Sequence, residues 1–453
     1  MSANAAGSTH ARTFIRLVKD AGVVGEGGAG FPAHLKYNAT ADTLIANGCE
    51  CEPLLHSDKH IMLHHAGEIV KGLGAAASAV QARRIVIAIK RKYRDVTDRI
   101  NAAIDGTGIE LAEIDDFYPA GDEQVLTYEI AGRTVPPMGL PKDVGVIVSN
   151  VGTLYSVANA LDGKPVTHKV VTVTGEVEKP GILRVPIGTG IDECVRHCGG
   201  AAADDFFYIV GGPMMGVLKD APEDMAEAVV TKTTGGVIVL KRGHYLHESA
   251  TLSVDAIQKR ASVACIQCRY CTDQCPRFLI GHDFETHKVM RTFAGVMTDA
   301  TGALQALMCC ECGVCELFSC PMRLSPRRIN RLFKSAFAGN NVMFTKRPGI
   351  HDYQSELRGY RKIPLSRLAI KIGIGQYMSI RPGMVGDFTP VEVKIPLKQH
   401  IGAEAVPGVQ AGQKVSAGDL IGIIPEGSPG AVVHASISGT VSSVDRFITI
   451  RGD

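Results

Sequence analysis

The apolar positions of the chain change period along its length. Thr43-Leu44-Ile45-Ala46 and Val144-Gly145-Val146-Ile147-Val148 are continuous apolar runs of a length that predicts buried strands. Each run delivers a polar loop, Asn47-Gly48-Cys49-Glu50-Cys51-Glu52-Pro53 after the first and Ser149-Asn150-Val151-Gly152-Thr153 after the second. Tyr118-Pro119-Ala120-Gly121-Asp122-Glu123 repeats the theme of glycine beside acids. Three such loops, each after a predicted strand, are what an open α/β sheet presents at its carboxyl edge. From His168 to Gly175 the pattern alternates as a half-buried strand does, and residues 176–180 form a turn. Ile182 to Pro186 is the expected return strand, and a helix follows from about Gly190. Val254 to Ile257 and Arg328 to Phe333 predict helices on either side of a cysteine-rich stretch. No apolar run reaches the roughly 18 residues a membrane-spanning helix needs.

Composition adds bounds. The 453 residues suggest about three domains at roughly 150 residues each. Apolar residues make up 45% and charged residues 21%, ordinary for a chain with a sizeable core. A formal charge of +2 gives no argument for nucleic acid or an anionic membrane. The first twenty residues lack the continuous apolar segment of a signal peptide. A cytoplasmic, reducing location is therefore expected, and it suits a chain rich in free thiols.

Eight of the thirteen cysteines form two cassettes, Cys265-x2-Cys268-x2-Cys271-x3-Cys275-Pro276 and Cys309-x2-Cys312-x2-Cys315-x4-Cys320-Pro321. Three thiolates at intervals of three residues can wrap one corner of a cubane cluster. In two-cluster ferredoxins the fourth, followed by proline, ligates the other cluster. The doubled cassette thus predicts two [4Fe-4S] clusters with crossed ligation: Cys265, Cys268 and Cys271 with Cys320, and Cys309, Cys312 and Cys315 with Cys275. Zinc is the competing reading, but a four-cysteine zinc site needs neither the third cysteine nor the Cys-Pro ending in both copies. Cys310 breaks the interval and is left out. Cys194 and Cys198, with His197 beside them, read as buried helix cysteines rather than a metal site. Cys49 and Cys51 read as packing residues rather than a redox pair.

A second signal is Gly25-Glu26-Gly27-Gly28-Ala29-Gly30-Phe31-Pro32, with Lys36 one helical turn on. Glycine at this density lets backbone N–H groups converge on an anion. The spacing excludes a P-loop, which needs Gly-Lys-Ser/Thr adjacent. Alone, the stretch is equally a set of tight turns, and each acid of the other loops is equally a solvated turn residue.

Taken together, these motifs resemble the flavin subunit of respiratory complex I and, more closely, the RnfC component of the ion-translocating Rnf complex. The resemblance implies that Gly25, Gly27, Gly28 and Lys36 hold an FMN phosphate, and that Asn47, Glu50 and Asn150 lie near the ribityl chain and ring. It places Phe31, Glu52 and Glu123 at a bound dinucleotide, with Phe31 stacking on nicotinamide. Complex I has aspartate and glycine where Cys49 and Cys51 stand, glutamate in place of Asp122, and one cluster rather than two. Lys398 to Ala403, Pro407 to Val415 and His434 to Val441 resemble the barrel-sandwich module that the Rnf component bears at its amino end; here it follows the cassettes. That order, with Ile209-Val210-Gly211-Gly212-Pro213-Met214-Met215-Gly216 and Arg361-Lys362-Ile363-Pro364, is similar to the cobalamin reductases of the propanediol-utilisation microcompartment. The tip region Ser436-Ile437-Ser438-Gly439 has no lysine of the kind biotinyl and lipoyl carriers display, so the module is expected to be structural or a docking surface.

The implied architecture is a multidomain α/β and α+β chain. It comprises a Rossmann-like FMN/NADH domain (1–165), a β-grasp module of SLBB type (166–249) and an α-helical two-cluster ferredoxin domain (250–340). A linker or helical segment (341–388) and a C-terminal barrel-sandwich hybrid (389–453) complete it. NADH releases two electrons as a hydride and cubane clusters take one at a time; a flavin exchanges both ways, which is the reason to place FMN between them. The expected path runs from NADH through FMN and the two clusters to a corrinoid. The alternative acceptor is a partner reductase or ferredoxin. A third class, a non-catalytic adaptor, would show no NADH-dependent bleaching. No corrinoid-binding Asp-x-His-x2-Gly stretch occurs, and the short extension before Arg12 carries no convincing encapsulation signal. Residence in a bacterial microcompartment or at the periphery of a larger complex is the alternative to free cytoplasm.

Overall fold

The computed structural model describes residues 9–296, 300–340, 342, 344 and 356–453. Most of the extension before Arg12 and the first part of the 341–388 segment lie outside these residues. The first apolar runs form a four-stranded parallel sheet from β1 (Thr43–Gly48), β2 (Arg84–Lys90), β3 (Glu110–Ile114) and, beyond the short β4 (Phe117–Tyr118), β5 (Val146–Asn150). Its order is β3-β2-β1-β5. β1 is buried at five of its six positions, as expected of a strand covered on both faces. The β1/β5 register ends by setting Asn47 beside Asn150 at the carboxyl edge, where two of the sequence-marked loops begin. The helices Ala66–Val80 and Val151–Leu161 pack against each other.

The second unit is a six-stranded sheet that includes β6 (His168–Gly175), β7 (Gly181–Pro186), β8 (Phe206–Val210), β9 (Val217–Lys219) and β10 (Gly236–Lys241). Cys194 and Cys198 lie in its core, on or just after the helix Ile191–His197, among Val171, Leu183 and Val239. Residues 356–388, expected as a linker or helical segment, hold the helices Arg358–Arg361 and Leu365–Lys371 and also add strands to two other units. β11 (Ile363–Pro364) pairs with β4, and β12 (Gly383–Asp387) becomes the edge strand of the second sheet beside β7.

The carboxyl end folds as two small antiparallel sheets. One orders β13 (Glu392–Pro396) with β15 (Lys414–Val415), β18 (Gly439–Val444) and β19 (Phe447–Gly452). The other joins β14 (Val406–Pro407), β16 (Leu420–Ile423) and β17 (Val433–His434). This module shares a continuous apolar core with the first domain, running from Phe14, Val18 and Leu73 through Val166 and Ile187 to Ile395, Val433 and Ile450. The tip around Ser436 is turned inward, its hydroxyl donating to Ile187 O at 2.6 Å. The buried Lys232 ties three units together by donating to Gly22 O and Val432 O, 2.7 Å each.

Candidate functional site

The glycine-rich loop runs between Val24 and Pro32, which face each other in a β-bridge closed by Gly25 N–H to Phe31 O at 2.8 Å. Gly27 lies directly on Asn150: a Cβ there would stand 3.3 Å from the asparagine Cβ. Glu26 accepts from Ser156 and forms a buried ion pair with Lys169. The C-terminal module covers one side of the loop, with Ile401 N–H donating to Gly30 O at 3.2 Å. Phe31 is exposed.

The three polar loops converge on this place. Asn47 donates to Gly121 O at 2.9 Å and accepts from Cys49 N–H at 3.0 Å, joining the second loop to the third. Asn150 caps the helix Val151–Leu161 by accepting from Gly152 N–H, and its amide donates to Asp58 at 2.7 Å. Glu50 accepts from Ser57 Oγ at 3.1 Å and from Asp58 N–H at 3.3 Å, while its other oxygen is buried without a hydrogen-bond partner. Burial and the neighbouring Asp58 charge push the Glu50 carboxyl well above the usual range, and burial raises Asp58 too. Asp58 was not marked in the sequence, where it is one more acid in the helix Ser57–His64.

Lys36, assigned by resemblance to a phosphate, donates to Glu123 Oε1 at 2.6 Å and to Val148 O, midway along β5, at 2.8 Å. Glu123 thus joins the group through Lys36. Glu52 does not join it. Its carboxylate turns to the second unit, accepting from Met214 N–H at 2.9 Å and from the Tyr118 hydroxyl at 3.4 Å. Burial raises its pKa to about 7 against those donors. Gly212 makes this approach possible, since a Cβ there would stand 2.1 Å from Glu52 Oε2.

Each cassette folds the same way. Gln267 (φ 56°) and Arg269 (φ 63°) flank Cys268, and Glu311 (φ 60°) and Gly313 (φ 83°) flank Cys312. This repeated left-handed backbone curls both loops around a cavity, and only Gly313 signals it in the sequence. Cys265, Cys268, Cys271 and Cys320 line one cavity; Cys275, Cys309, Cys312 and Cys315 line the other, with Cys310 beside them. The eight cysteines are therefore grouped as in the crossed scheme, and four thiolates around each cavity are a donor set that fits a cubane. The sulfurs also meet N–H donors: Glu311 N–H and Asn330 Nδ2 reach Cys309 Sγ at 3.3 and 3.5 Å, and Leu324 N–H reaches Cys320 Sγ at 3.4 Å. Such contacts tune cluster potentials.

Two contacts tie the polar loops to the second cavity. The Tyr118 hydroxyl donates to Cys312 O at 2.8 Å. Arg277, two residues after Cys275, forms a two-pronged pair with Asp122 at 2.6 and 2.9 Å. Burial pushes the Asp122 carboxyl up, but the guanidinium and the N–H groups of Val125 and Gln124 hold it below its ordinary value. Asp122 is thus the cap of the helix Glu123–Ala131 and an anchor for the cysteine domain.

Comparison with known proteins places these pieces. Residues 18–159 match the Nuo51 FMN-binding domain, 170–218 the SLBB domain, 264–325 the 4Fe-4S dicluster domain and 385–453 the RnfC barrel sandwich hybrid domain. Over 447 residues the chain is 40% identical to a cobalamin reductase PduS of Citrobacter freundii, covering 98% of this chain and 97% of that one. The Salmonella typhimurium protein of the same name is 40% identical over 96% of this chain and 95% of its own length. A component of the ion-translocating oxidoreductase complex of Erwinia tasmaniensis is 33% identical over 59% of this chain and 32% of its own. Among solved structures, a chain of the NAD+-reducing [NiFe]-hydrogenase in the H2-reduced state aligns over 77% of this chain and 70% of that one, at 20% identity and TM-score 0.48. FMN and two [4Fe-4S] clusters are the cofactors these domains carry, and the glycine cradle, the orphaned Glu50 oxygen and the two thiolate quartets fit them. No helix among the described residues is long and apolar enough to cross a membrane.

Proposed function

The chain belongs to the PduS cobalamin reductase family of flavin iron–sulfur oxidoreductases, and from that premise we propose that it carries electrons from NADH through FMN and two [4Fe-4S] clusters to the cobalt of a corrinoid. The observation that carries the acceptor is the likeness over almost the whole chain, in one module order, to proteins named for cobalamin reduction. The geometry supports the rest. Gly25, Gly27 and Gly28, backed by Asn150, would cradle the FMN phosphate, with Lys36, held by Val148 O of β5, beside it. Asn47, Glu50 and Asn150 would border the ring, and the exposed Phe31 and Glu123 the dinucleotide. Glu52 would act on the dinucleotide only indirectly, since its carboxylate faces Met214 and Tyr118.

When bound, FMN would take a hydride from NADH and give electrons up singly. One NADH becomes NAD+ and a proton, and its two electrons reduce two cobalt centres by one unit each. The chain's own part is to hold the cofactors close, to shield them from water and, through Arg277–Asp122 and Tyr118–Cys312, to fix the cysteine domain against the flavin loops. The shared SLBB and barrel-sandwich modules support a second reading, delivery of NADH electrons to a partner reductase or ferredoxin. Residence in a microcompartment is proposed on membership of the PduS family alone.

The test is an anaerobic assay of the FMN- and cluster-loaded protein with NADH and cob(III)alamin, in parallel with a ferredoxin. NADH oxidation coupled to the cob(II)alamin spectrum supports the corrinoid reading. Oxidation that proceeds only with ferredoxin overturns it in favour of the second.

A further inference from the structure

The two cysteine cavities are not equivalent in their surroundings. The Cys275, Cys309, Cys312, Cys315 cavity is stitched to the flavin loops at three points. Tyr118, which also meets Glu52, donates to Cys312 O. Arg277 grips Asp122 of the third loop. Met214 lies between the two sides: its N–H meets Glu52, its carbonyl accepts from Arg327 at 2.5 Å, and a Cβ on Gly313 would stand 3.3 Å from that carbonyl. Leu54, Tyr118, Met214, Cys312 and Val314 form one buried core.

The other cavity touches none of these loops. Both cavities are lined by the cysteine domain alone, this one with Ile266, Gln267, His287, Met290 and Met322 among its residues, so the difference lies in what each lining meets outside. Cys265 and Cys268 are partly exposed, whereas every cysteine of the first quartet is buried. Around them Val263 is 85% exposed, Ile266 63% and Tyr270 56%. The two cavities adjoin, because the turn 270–273 that bears Cys271 packs against the turn 314–319 that bears Cys315.

Resting on the electron-transfer function proposed above, we infer that the two clusters act in the reverse of chain order. The cluster held by Cys275, Cys309, Cys312 and Cys315 is the inner relay, loaded from the flavin side. The cluster held by Cys265, Cys268, Cys271 and Cys320 is the outlet, open to the external acceptor. Each transfer moves one electron: the relay is oxidised as the outlet is reduced, and no bond or proton changes place. Tyr118 is a positioning residue for the relay, acting through the Cys312 carbonyl. Glu52 and Met214 form the seam between flavin loop and relay, which accounts for the glycine required at position 212.

The test uses the full holoprotein reduced with dithionite, so that it depends on neither NADH nor flavin. Electron paramagnetic resonance resolves two reduced-cluster signals, which Cys268→Ser and Tyr118→Phe assign by altering the outlet and the relay respectively. A soluble dysprosium chelate is then added to the unsubstituted protein. The expected result is a several-fold rise in the half-saturation power of the Cys268-sensitive signal, with the Tyr118-sensitive signal unmoved. Enhancement of the Tyr118-sensitive signal, equal enhancement of both, or of neither, overturns the order. If Cys268→Ser does not accumulate, the potential shift in Tyr118→Phe decides the assignment: it must fall on the signal the chelate spares. Should dithionite develop no pair of cluster signals, the electron-transfer function itself fails, an outcome distinct from a reversed order.

Discussion

Replacing Arg277 should uncouple the cysteine domain from the flavin loops. The Arg277 and Asp122 side chains are only 9% and 15% exposed, and they meet in two hydrogen bonds. Breaking a buried pair by removing one partner costs about 3–5 kcal/mol, because the remaining charge stays buried. In Arg277→Met the stranded carboxylate keeps the N–H groups of Gln124 and Val125, 3.0 Å each, at a helix N-terminus. Those contacts put the expected cost near the lower end, about 3 kcal/mol. Asp122→Asn keeps the cap, since asparagine caps as well as aspartate, and so reports the pair alone. The double variant should cost less than the sum of the singles by about 1–3 kcal/mol, the signature of direct coupling. The pH dependence has a defined sign. Asp122 titrates below its ordinary value in the fold, so the pair's contribution is complete above about pH 5 and is lost as pH falls through the unfolded and then the lower folded value. The gap between the unsubstituted protein and Arg277→Met is therefore flat at neutral and alkaline pH and narrows on acidification, first as the stranded Asp122 carboxylate of the variant, no longer held down by the guanidinium, takes up a proton. The assay is anaerobic thermal unfolding of the loaded protein, following flavin fluorescence and cluster absorbance together. The two signals should be lost together in the unsubstituted protein and separately in Arg277→Met. Additive single variants, or joint loss at an unchanged midpoint, would refute the reasoning.

Other substitutions probe other contacts. Lys232→Met leaves Gly22 O and Val432 O unpaired, at about 1–3 kcal/mol each, measured by denaturation. Burial lowers Lys232 to about 7, so the unfolded chain binds a proton the fold does not, and stability rises from about pH 7 to 10. That slope should vanish in Lys232→Met when melting temperature is plotted against pH. Gly212→Ala drives a methyl into Glu52 and should lower the melting temperature and slow cluster reduction by NADH; unchanged kinetics would remove the seam from the account. Lys36→Met should lower the FMN retained after dialysis, read by fluorescence of the released flavin. Cys320→Ser should deplete the cluster shared with Cys265, Cys268 and Cys271 in an iron and sulfide count, and leaving that cluster whole would sink the crossed scheme.

What the sequence revealed depended on whether a signal was local. The cassettes were legible because ligands of one cluster must recur at short intervals, and β1, β5, β6 and β7 because their apolar runs are continuous or alternate. The helix cysteines Cys194 and Cys198 pack in a core, as expected for residues on one apolar face. Long-range pairs were not legible. Asp122 and Arg277 lie 155 positions apart, and nothing beside either marks the other. Glu52 stands in a motif that points to a nucleotide, yet its direction is set by Gly212 and Met214 from another module. Asp58 and Asn330 look like ordinary helix residues until the fold brings them to Asn150 and Cys309. The segment around β11 and β12 has weak periodicity of its own, since its strands are short and complete sheets built elsewhere.

The most direct test of the central claim is an anaerobic optical titration of the loaded protein with NADH. A flavin that accepts two electrons and two clusters that accept one each should be fully bleached at about two equivalents of NADH per chain, provided their potentials lie above that of the donor. Flavin and cluster absorbance should fall together toward that end point. A full complement of FMN and iron that shows no bleaching would contradict the account, because the chain would then hold its cofactors without passing electrons between them.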